Sequence, residues 1–242
     1  MIYIDIGNTW VKAVTKSGAD WVEVFRERII EEEKIAEWVS TLHPDSNAIA
    51  VSVRENIRKL IDSEDSNKII TWVDLKTISE FDMDYNTPKT LGFDRFLACL
   101  GACTVTSNDV VVIDAGSACT IDMMSSYRTY RGGVIMPGLS LLHRAMETGT
   151  PELPTVSSEI PDQFPGKSTE ACLQWGINGT FLHAVRSFLD QYAEKYGTFD
   201  LFVTGGDAVW INELLGSEYN LKMRRNIIYD GMEELHRMRE KN

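Results

Sequence analysis

Alternating and continuous apolar runs in the first half of the chain predict strands, and amphipathic runs between them predict helices. The predicted strands are 2–6, 10–15, 21–27, 47–53 and 68–73. The predicted helices are 30–42, 55–63 and the mostly apolar stretch 93–105, which follows a polar loop containing Pro88. The order is three strands followed by strands that alternate with helices.

The second half repeats this order. Its predicted strands are 110–115, 118–124, 127–135, 200–204 and 226–229. Its predicted helices are 138–147, a long one at 168–196, 207–215 and a charged helix at the end, with a proline-rich loop at 151–167. Strands alternating with helices indicate an α/β fold with mixed sheets, and the repeat predicts two tandem domains, 1–108 and 109–242, with a cleft between them.

Composition and charge narrow the classes of partner. The chain has 242 residues, 43% of them hydrophobic, which is enough for a core in each domain. Its 24 basic and 36 acidic residues give a net charge of -12, so the surface would repel a nucleic-acid backbone and an anionic bilayer. No apolar run approaches the roughly 20 residues that span a bilayer, and the start lacks the layout of a secretory signal. We therefore expect a cytoplasmic protein with no nucleic-acid or membrane partner.

Two stretches, one in each half, share an outline in which an apolar strand runs into aspartate, glycine and hydroxyl side chains. They are IYIDIGNTWVKAV at 2–14 and VVVIDAGSACTIDMM at 110–124. In the first, Gly7 lets the backbone approach a ligand closely, and the turn offers side-chain and backbone donors to an oxyanion. Asp5 can hold Mg²⁺ through water, and Lys12 adds a point charge for phosphate. One such stretch alone predicts an ordinary hairpin, whereas two matched copies favour binding of a polyphosphate from both sides.

Two further segments carry candidate chemistry. In LFVTGGDAVW at 201–210 a strand runs into a glycine pair and then the start of a helix. The glycines would allow a nucleoside to pack closely, and the helix N-terminus would favour negative charge. The alternative is that the segment is only a flexible connection before a helix. In YNTPKTLGFDRFLA at 85–98, Asp94 and Arg95 begin a helix. They are either ordinary helix-end and surface charges, or a general base for a substrate hydroxyl and a clamp for its anionic group. The chain has neither a GxGxxG fingerprint nor a GxxxxGK[ST] loop.

Together these motifs resemble the type III pantothenate kinases, which belong to the acetate and sugar kinase, heat-shock chaperone ATPase and actin superfamily. The matches, in order, are DIGNTWVK at 5–12, GFDR at 92–95, DAGSACT at 114–120, RGGVIMPG at 131–138, GKSTEACLQWGI at 166–177 and TGGDA at 204–208. They span nearly the whole chain. GFDR together with the GKST segment separates this family from the rest of the superfamily. The resemblance implies two tandem ribonuclease H-like domains, as in actin-like ATPases, with the nucleotide in the cleft.

The resemblance also implies roles for individual residues. The implied ATP-binding residues are Asp5, Ile6, Gly7, Asn8, Thr9, Trp10, Val11, Lys12 and Ser117. The implied pantothenate-binding residues are Tyr85, Gly92, Phe93, Asp94, Arg95 and Thr169, with Asp94 as the proton acceptor. Asp5 would lie near Mg²⁺, and Asp114 would bind a monovalent cation, K⁺ or NH₄⁺. The family forms homodimers, and Thr169 would lie near the subunit interface.

Two positions depart from the family pattern. Ser117 stands where threonine is usual, which keeps the hydroxyl and loses a methyl group, and Phe93 stands where smaller residues are common. The expected activity is ATP-dependent phosphorylation of pantothenate to 4'-phosphopantothenate, the first step of coenzyme A biosynthesis. One alternative is a regulatory or accessory homologue that binds ATP without this turnover. The other is an actin-like or chaperone-like nucleotide switch, whose output is a conformational change. The short chain and the lack of a peptide-binding domain argue against this alternative.

Overall fold

The first sheet is built from the alternating segments at the start of the chain. The computed structural model describes residues 1–73 and 81–240. The strands of this sheet are β1 (Ile2–Ile6), β2 (Trp10–Ser17), β3 (Asp20–Arg28), β4 (Ala48–Ser52) and β5 (Ile70–Trp72), in the order β3-β2-β1-β4-β5. β1, β2 and β3 pair antiparallel, whereas β4 pairs parallel to both β1 and β5, so the sheet is mixed as predicted.

Helices cover this sheet where the sequence is amphipathic. They are α1 (Glu32–Ser40), α2 (Glu55–Glu64) and α3 (Phe93–Ala102), with a 3₁₀ turn at Pro88–Thr90 before the last. Buried side chains of α1 and α2, such as Ile35 and Ile57, pack against Ile4, Ile6 and Val11 of the sheet. From Arg95 to its end α3 is buried, as its continuous apolar sequence predicts.

The second sheet has the order β10-β9-β6-β7-β8. Its strands are β6 (Val110–Ala115), β7 (Ala118–Met124), β8 (Tyr130–Pro137), β9 (Asp200–Thr204) and β10 (Lys222–Met223). The later helices are α4 (Leu139–Gly149), α5 (Thr169–Gln174), α6 (Thr180–Tyr196), α7 (Ala208–Tyr219) and α8 (Ile227–Arg239). Apolar side chains of β6 and β7 pack against Phe181 and Val185 of α6 and Ile211 of α7.

The single long helix predicted at 168–196 is interrupted. A π-helical turn at Trp175–Gly179 separates α5 from α6. Gly179 permits this turn, because a Cβ there would lie 2.6 Å from Cε3 of Trp175. Asn178 is fully buried in the turn and donates to the carbonyls of Ser157 and Glu159 at 3.0 and 2.7 Å. The wide turn thus anchors the proline-rich loop. Because these bonds join segments that are distant in sequence, the local helical pattern does not predict the interruption.

The strand predicted at 226–229 is wrong. Ile227 begins α8, and the last strand of the second sheet is instead Lys222–Met223, parallel to β9. The β-branched pair at 227–228 favoured a strand locally. The buried positions Ile227, Gly231 and Leu235 nevertheless follow a four-residue helical spacing, so tertiary packing decides the outcome.

The chain forms two compact units that are not two continuous halves. The first contains residues 1–107, 124–132 and 226–242, and the second contains 108–123 and 133–225. α8, at the end of the chain, therefore belongs with the first sheet, where Gly101 of α3 and Gly231 of α8 allow the two helix backbones to touch. The proposed division of the duplicated fold after residue 108 concerns where each repeat ends, and it stays a prediction.

Candidate functional site

In the first unit, the predicted phosphate loop is the turn of the β1–β2 hairpin. The Gly7 backbone N–H donates to the Trp10 carbonyl at 3.0 Å and closes the turn. Asp5, near the end of β1, lies opposite Lys12 of β2, so a carboxylate and an ammonium group sit side by side at the loop. A Cβ at Gly7 would find its nearest atom, the Trp10 carbonyl oxygen, at 3.7 Å. The hairpin itself therefore has room for a side chain at this position. With glycine there, no side chain covers the backbone of the turn.

The Asp5 carboxyl lies in an environment that disfavours its charge. Burial raises its pKa from 3.8 to about 6, Lys12 acts in the opposite direction, and the charge of Asp94 raises it further. Because the Coulomb interaction of two charges weakens with distance, this influence indicates that Asp94 lies near Asp5. The first unit therefore brings together two carboxylates that belong to separate sequence motifs.

Asp94 occupies the first turn of α3. Its Oδ1 accepts a hydrogen bond from the Arg95 backbone N–H at 2.9 Å. The carboxylate also lies over Gly92, where a Cβ would be 2.6 Å from Oδ1. Gly92 thus leaves room for the carboxylate at the helix start, and Arg95 is buried beside it, with 8% of its surface exposed.

Aromatic packing connects Tyr85 to the same helix. Tyr85 makes an edge-to-face contact with Tyr130 at a centroid distance of 5.7 Å, and Tyr130 lies 6.2 Å from Phe96 of α3. The Tyr85 ring also lies over Gly132, whose φ of +84° and whose 3.4 Å distance to the ring both favour glycine. Tyr85 and the 92–95 segment, two parts of the predicted substrate site, are therefore linked within the first unit.

In the second unit, the matching hairpin is the turn between β6 and β7. Asp114 is partly exposed near the end of β6, and the Gly116 N–H donates to the Ala118 carbonyl at 3.0 Å. Ser117 is exposed at the tip of the turn. The hairpin thus presents the predicted cation-binding and ATP-binding side chains at the end of a buried strand.

Two other motifs pack directly on this hairpin. At Gly138, at the end of RGGVIMPG, a Cβ would lie 2.0 Å from the Gly116 carbonyl oxygen, and its N–H donates to the Ser117 carbonyl at 3.1 Å. At Gly205 of TGGDA, φ is +92° and a Cβ would lie 2.4 Å from the Ala115 carbonyl oxygen. Both glycines are required by close backbone approach, so three motifs that are distant in sequence form one structure.

Two carboxylates near this hairpin were not among the predicted site residues. Asp122 is buried in β7 with 2% exposure, and Asp207 precedes α7 and donates its N–H to the Ala115 carbonyl at 3.0 Å. Burial first, and then the charges of Asp114, Asp207 and Asp122, raise the pKa of the Cys119 thiol. Burial also raises the pKa of Asp207, against the influence of His143. Asp207 lay within a motif noted for its glycines, and Asp122 follows the apolar run, so neither carried a separate signal.

The remaining predicted substrate residues, Phe93 and Thr169, belong to different units. Phe93 is partly exposed in the first turn of α3. Thr169 is the exposed first residue of α5, in the second unit, where Ser168 caps the helix by accepting from the Ala171 N–H at 3.1 Å. Its family role concerns substrate and a partner subunit, and it stays a prediction.

The donors present suit hydrated cations better than a closed metal cage. Within the described residues, no group of three or more His, Cys, Asp or Glu side chains is arranged to hold a metal ion. Mg²⁺ in phosphoryl-transfer enzymes commonly uses one or two carboxylates plus waters and substrate phosphates. Asp5, whose charge the protein itself stabilises poorly, fits such a site. At the second hairpin the charges of Asp114, Asp207 and Asp122 all act on the Cys119 thiol, so the local field is negative.

Solved structures share this arrangement of two mixed sheets. A protein from Campylobacter jejuni, described as a Baf family transcriptional activator, superposes with a TM-score of 0.70 over 100% of both chains at 22% identity. The Alp12 filament protein superposes with a TM-score of 0.57 over 98% of this chain and 97% of its own at 10% identity. At these identities the likeness shows the fold alone. The chain is an α/β protein with two five-stranded sheets, as expected.

Sequence comparison defines the family. The family model described as type III pantothenate kinase matches residues 1–191. The type III pantothenate kinase of Flavobacterium johnsoniae is 30% identical over 217 residues, 89% of each chain, and that of Thermosipho africanus is 28% identical over 240 residues, 95% and 93% of the two chains. The chain belongs to the type III pantothenate kinase family, and it is an enzyme of the phosphotransferase class. Membership of this family confirms the expected activity, the phosphorylation of pantothenate in coenzyme A biosynthesis.

No helix in the described ranges is long and apolar enough to cross a membrane.

Proposed function

We propose that the protein transfers the γ-phosphoryl group of ATP to the terminal hydroxyl of pantothenate, with Asp94 as the general base. The observation that carries this assignment is the placement of Asp94 in the first turn of α3, close enough to Asp5 of the phosphate loop for its charge to raise the Asp5 pKa. A base and a phosphate-binding loop must lie near each other if a hydroxyl is to attack a bound phosphoryl group.

The roles of the other residues follow from their chemistry. Backbone N–H groups of the 5–12 turn, Lys12 and Ser117 bind phosphate oxygens, and Arg95 holds the carboxylate of pantothenate. Asp94 orients the hydroxyl and accepts its proton as the bond to phosphorus forms. Mg²⁺, when bound near Asp5, neutralises charge on the transferred phosphoryl group.

Asp114 is assigned to a monovalent cation beside the nucleotide. Support comes from its position near the end of β6 and from the two further carboxylates, Asp122 and Asp207, whose charges reach the same hairpin. We further propose that the enzyme is a cytoplasmic homodimer, as the family resemblance implies, with Thr169 contacting substrate near the subunit interface.

The test of the base is the Asp94→Asn variant, assayed for ATP consumption with and without pantothenate. We expect ATP binding to be nearly unchanged and turnover to fall by about 10² or more, since general bases contribute roughly 10² to 10⁴. Near-normal turnover would remove Asp94 from this role. Wild-type protein that binds ATP but does not phosphorylate pantothenate would instead favour the regulatory alternative.

The cation assignment has its own test. Replacement of K⁺ by Na⁺ at constant ionic strength should lower activity in the wild type, because the larger, more weakly hydrated K⁺ sheds its waters more readily for protein oxygens. The Asp114→Asn variant should lose most of this difference between the two cations. Undiminished wild-type activity in Na⁺ would overturn the role given to Asp114.

A further inference from the structure

One face of the first sheet carries an ordered row of charged side chains beside the phosphate loop. Asp5 of β1 lies opposite Lys12 of β2, and Lys12 lies opposite Arg26 of β3. One step nearer the loop, Trp10 of β2 lies opposite Arg28 of β3. Because side chains alternate along a strand, Trp10 and Lys12 project from the same face, and so do Arg26 and Arg28.

This face is the one turned away from α1 and α2. The intervening β2 residues, Val11 and Ala13, are fully buried in the apolar core that contains Ile35 and Ile57 of those helices. The charged row therefore occupies the opposite side of the sheet.

The two arginines are held on the indole of Trp10. The Cζ atom of Arg26 lies 4.7 Å from the ring centroid, and that of Arg28 lies 5.5 Å from it. Stacking uses the flat face of a guanidinium group and leaves its N–H edges available for a planar fork of hydrogen bonds to an anion. Trp10 thus restricts two flexible side chains without consuming their donors.

The backbone N–H of Arg28 and, more weakly, its charge help to lower the pKa of the adjacent Glu27, but the Glu27 carboxylate has other partners. The Glu27 carboxylate accepts from the Arg28 backbone N–H at 2.9 Å and pairs with Lys34 of α1 at 3.4 Å. Over residues 1–73 and 81–240, no ion pair involves the Arg28 guanidinium, and Arg26 has only the exposed Glu23, at 3.9 Å. In a chain of net charge -12, this leaves a local cluster of cations.

The backbone ties this cluster to the loop. The Ile29 N–H, directly after Arg28, donates to the Thr9 carbonyl at 3.1 Å. Arg28 is consequently adjacent to the last residues of the turn whose N–H groups are assigned to phosphate. An anion seated on that turn would lie within reach of a long arginine side chain on the neighbouring strand.

We propose that Arg26 and Arg28, oriented by Trp10, form a second phosphate-binding arm that attracts a nucleoside triphosphate and binds its phosphate oxygens. This inference rests on the proposed assignment of the 5–12 turn to ATP. The arm offsets the repulsion that an acidic protein exerts on a polyanionic substrate, and it acts on nucleotide capture rather than on the proton transfer.

The test compares Arg26→Gln and Arg28→Gln with Arg58→Gln. Arg58 is a matched control, because its guanidinium also stacks on a tryptophan of the same unit, Trp72, at 4.8 Å. Equilibrium binding of a non-hydrolysable ATP analogue is measured at several salt concentrations, together with kcat and the KM for each substrate. We expect each of the two arginine variants to weaken analogue binding about tenfold at low salt, as expected for a lost charge-assisted hydrogen bond.

The same variants should flatten the salt dependence of binding, with kcat and the KM for pantothenate within about twofold of wild type. Trp10→Leu should reproduce the loss and Trp10→Phe should retain part of the affinity, since only an aromatic face orients the guanidinium groups. Analogue binding equal to that of Arg58→Gln, or a rise confined to the KM for pantothenate, would overturn the proposal. Because analogue binding is measured without turnover, its result can be interpreted even if the protein proves not to phosphorylate pantothenate.

Discussion

The substitution Gly101→Ala tests the contact between α3 and α8, on which the position of Asp94 depends. A methyl group built at Gly101 would lie 1.9 Å from the Ile227 carbonyl oxygen and 2.9 Å from the Gly231 backbone nitrogen. A methyl carbon normally approaches a carbonyl oxygen to about 3.3 Å, so the two helices would have to separate by roughly 1.4 Å. The clashing atoms are helix backbone, which cannot rotate away as a side chain can.

The magnitude follows from two opposing effects. Overpacking of a core costs about 1 to 3 kcal/mol, and more where backbone must move. The higher helix propensity of alanine offsets about 1 kcal/mol of this. We therefore expect a net loss of about 2 kcal/mol in the free energy of unfolding. Because Asp94 and Arg95 lie in the first turn of α3, turnover per folded molecule should also fall, since a misplacement of about 1 Å costs up to about 10² in rate.

The assay is urea unfolding followed by circular dichroism, with activity measured at a temperature where every variant is folded. Gly149→Ala is the control, because beyond its chain neighbours and its own helix backbone no atom would lie within 4 Å of a Cβ there. Its free energy of unfolding should stay within about 0.5 kcal/mol of that of the wild type. A Gly101→Ala protein that unfolds at the same urea concentration as Gly149→Ala would refute the reasoning.

Two further predictions concern buried polar groups of the first unit. Tyr229→Phe removes a hydroxyl that is buried and has no hydrogen-bond partner among the described residues, so it should raise stability by roughly 1 kcal/mol; a loss in the urea midpoint would show that the hydroxyl is bonded. Asp5→Asn should abolish turnover and yet stabilise the protein at neutral pH. Since the folded pKa of Asp5, about 6, exceeds 3.8, wild-type stability falls as pH rises from about 4 to about 6. Relative to wild type, the variant should gain about 2 kcal/mol over that range in nucleotide-free urea titrations, and a constant difference would contradict the raised pKa.

The parts of the fold that follow from local pattern could be predicted from the sequence. The β1–β2 and β6–β7 hairpins appeared as apolar runs ending in aspartate and glycine, and their observed strands lie close to the predicted ranges. Their likeness in sequence reflects the same arrangement of a buried strand and a polar turn. The type of element was clear wherever a single period held over the whole segment.

The failures have long-range causes. The start of α8 was predicted as a strand because its β-branched residues favour an extended backbone. The helix there is explained by its contact with Gly101, more than 120 residues earlier in the chain. The π-helical turn at Trp175–Gly179 exists where the buried Asn178 bonds to the proline-rich loop. No window of neighbouring residues contains either partner.

The same distinction applies to the candidate site. Each motif could be named from the sequence, whereas the packing of Gly138 and Gly205 on the 114–118 hairpin required the fold. The row formed by Lys12, Arg26 and Arg28 depends on the register of three strands, and a shift of one residue would move its members to the opposite face. Register therefore determines which charges meet, and charge composition alone does not reveal it.

The unfavourable features of the first unit are concentrated around Asp5. Its carboxyl has a raised pKa. Burial first, and then the charge of Asp5, raise the pKa of Tyr229, whose hydroxyl lacks a partner among the described residues. Folding alone would favour an apolar pair at these positions, because buried polar groups are normally satisfied. Natural proteins depart from such rules mainly at functional sites. If Asp5 lies beside a phosphate-bound metal as proposed, the feature that destabilises the free protein is also the one that the bound cation compensates.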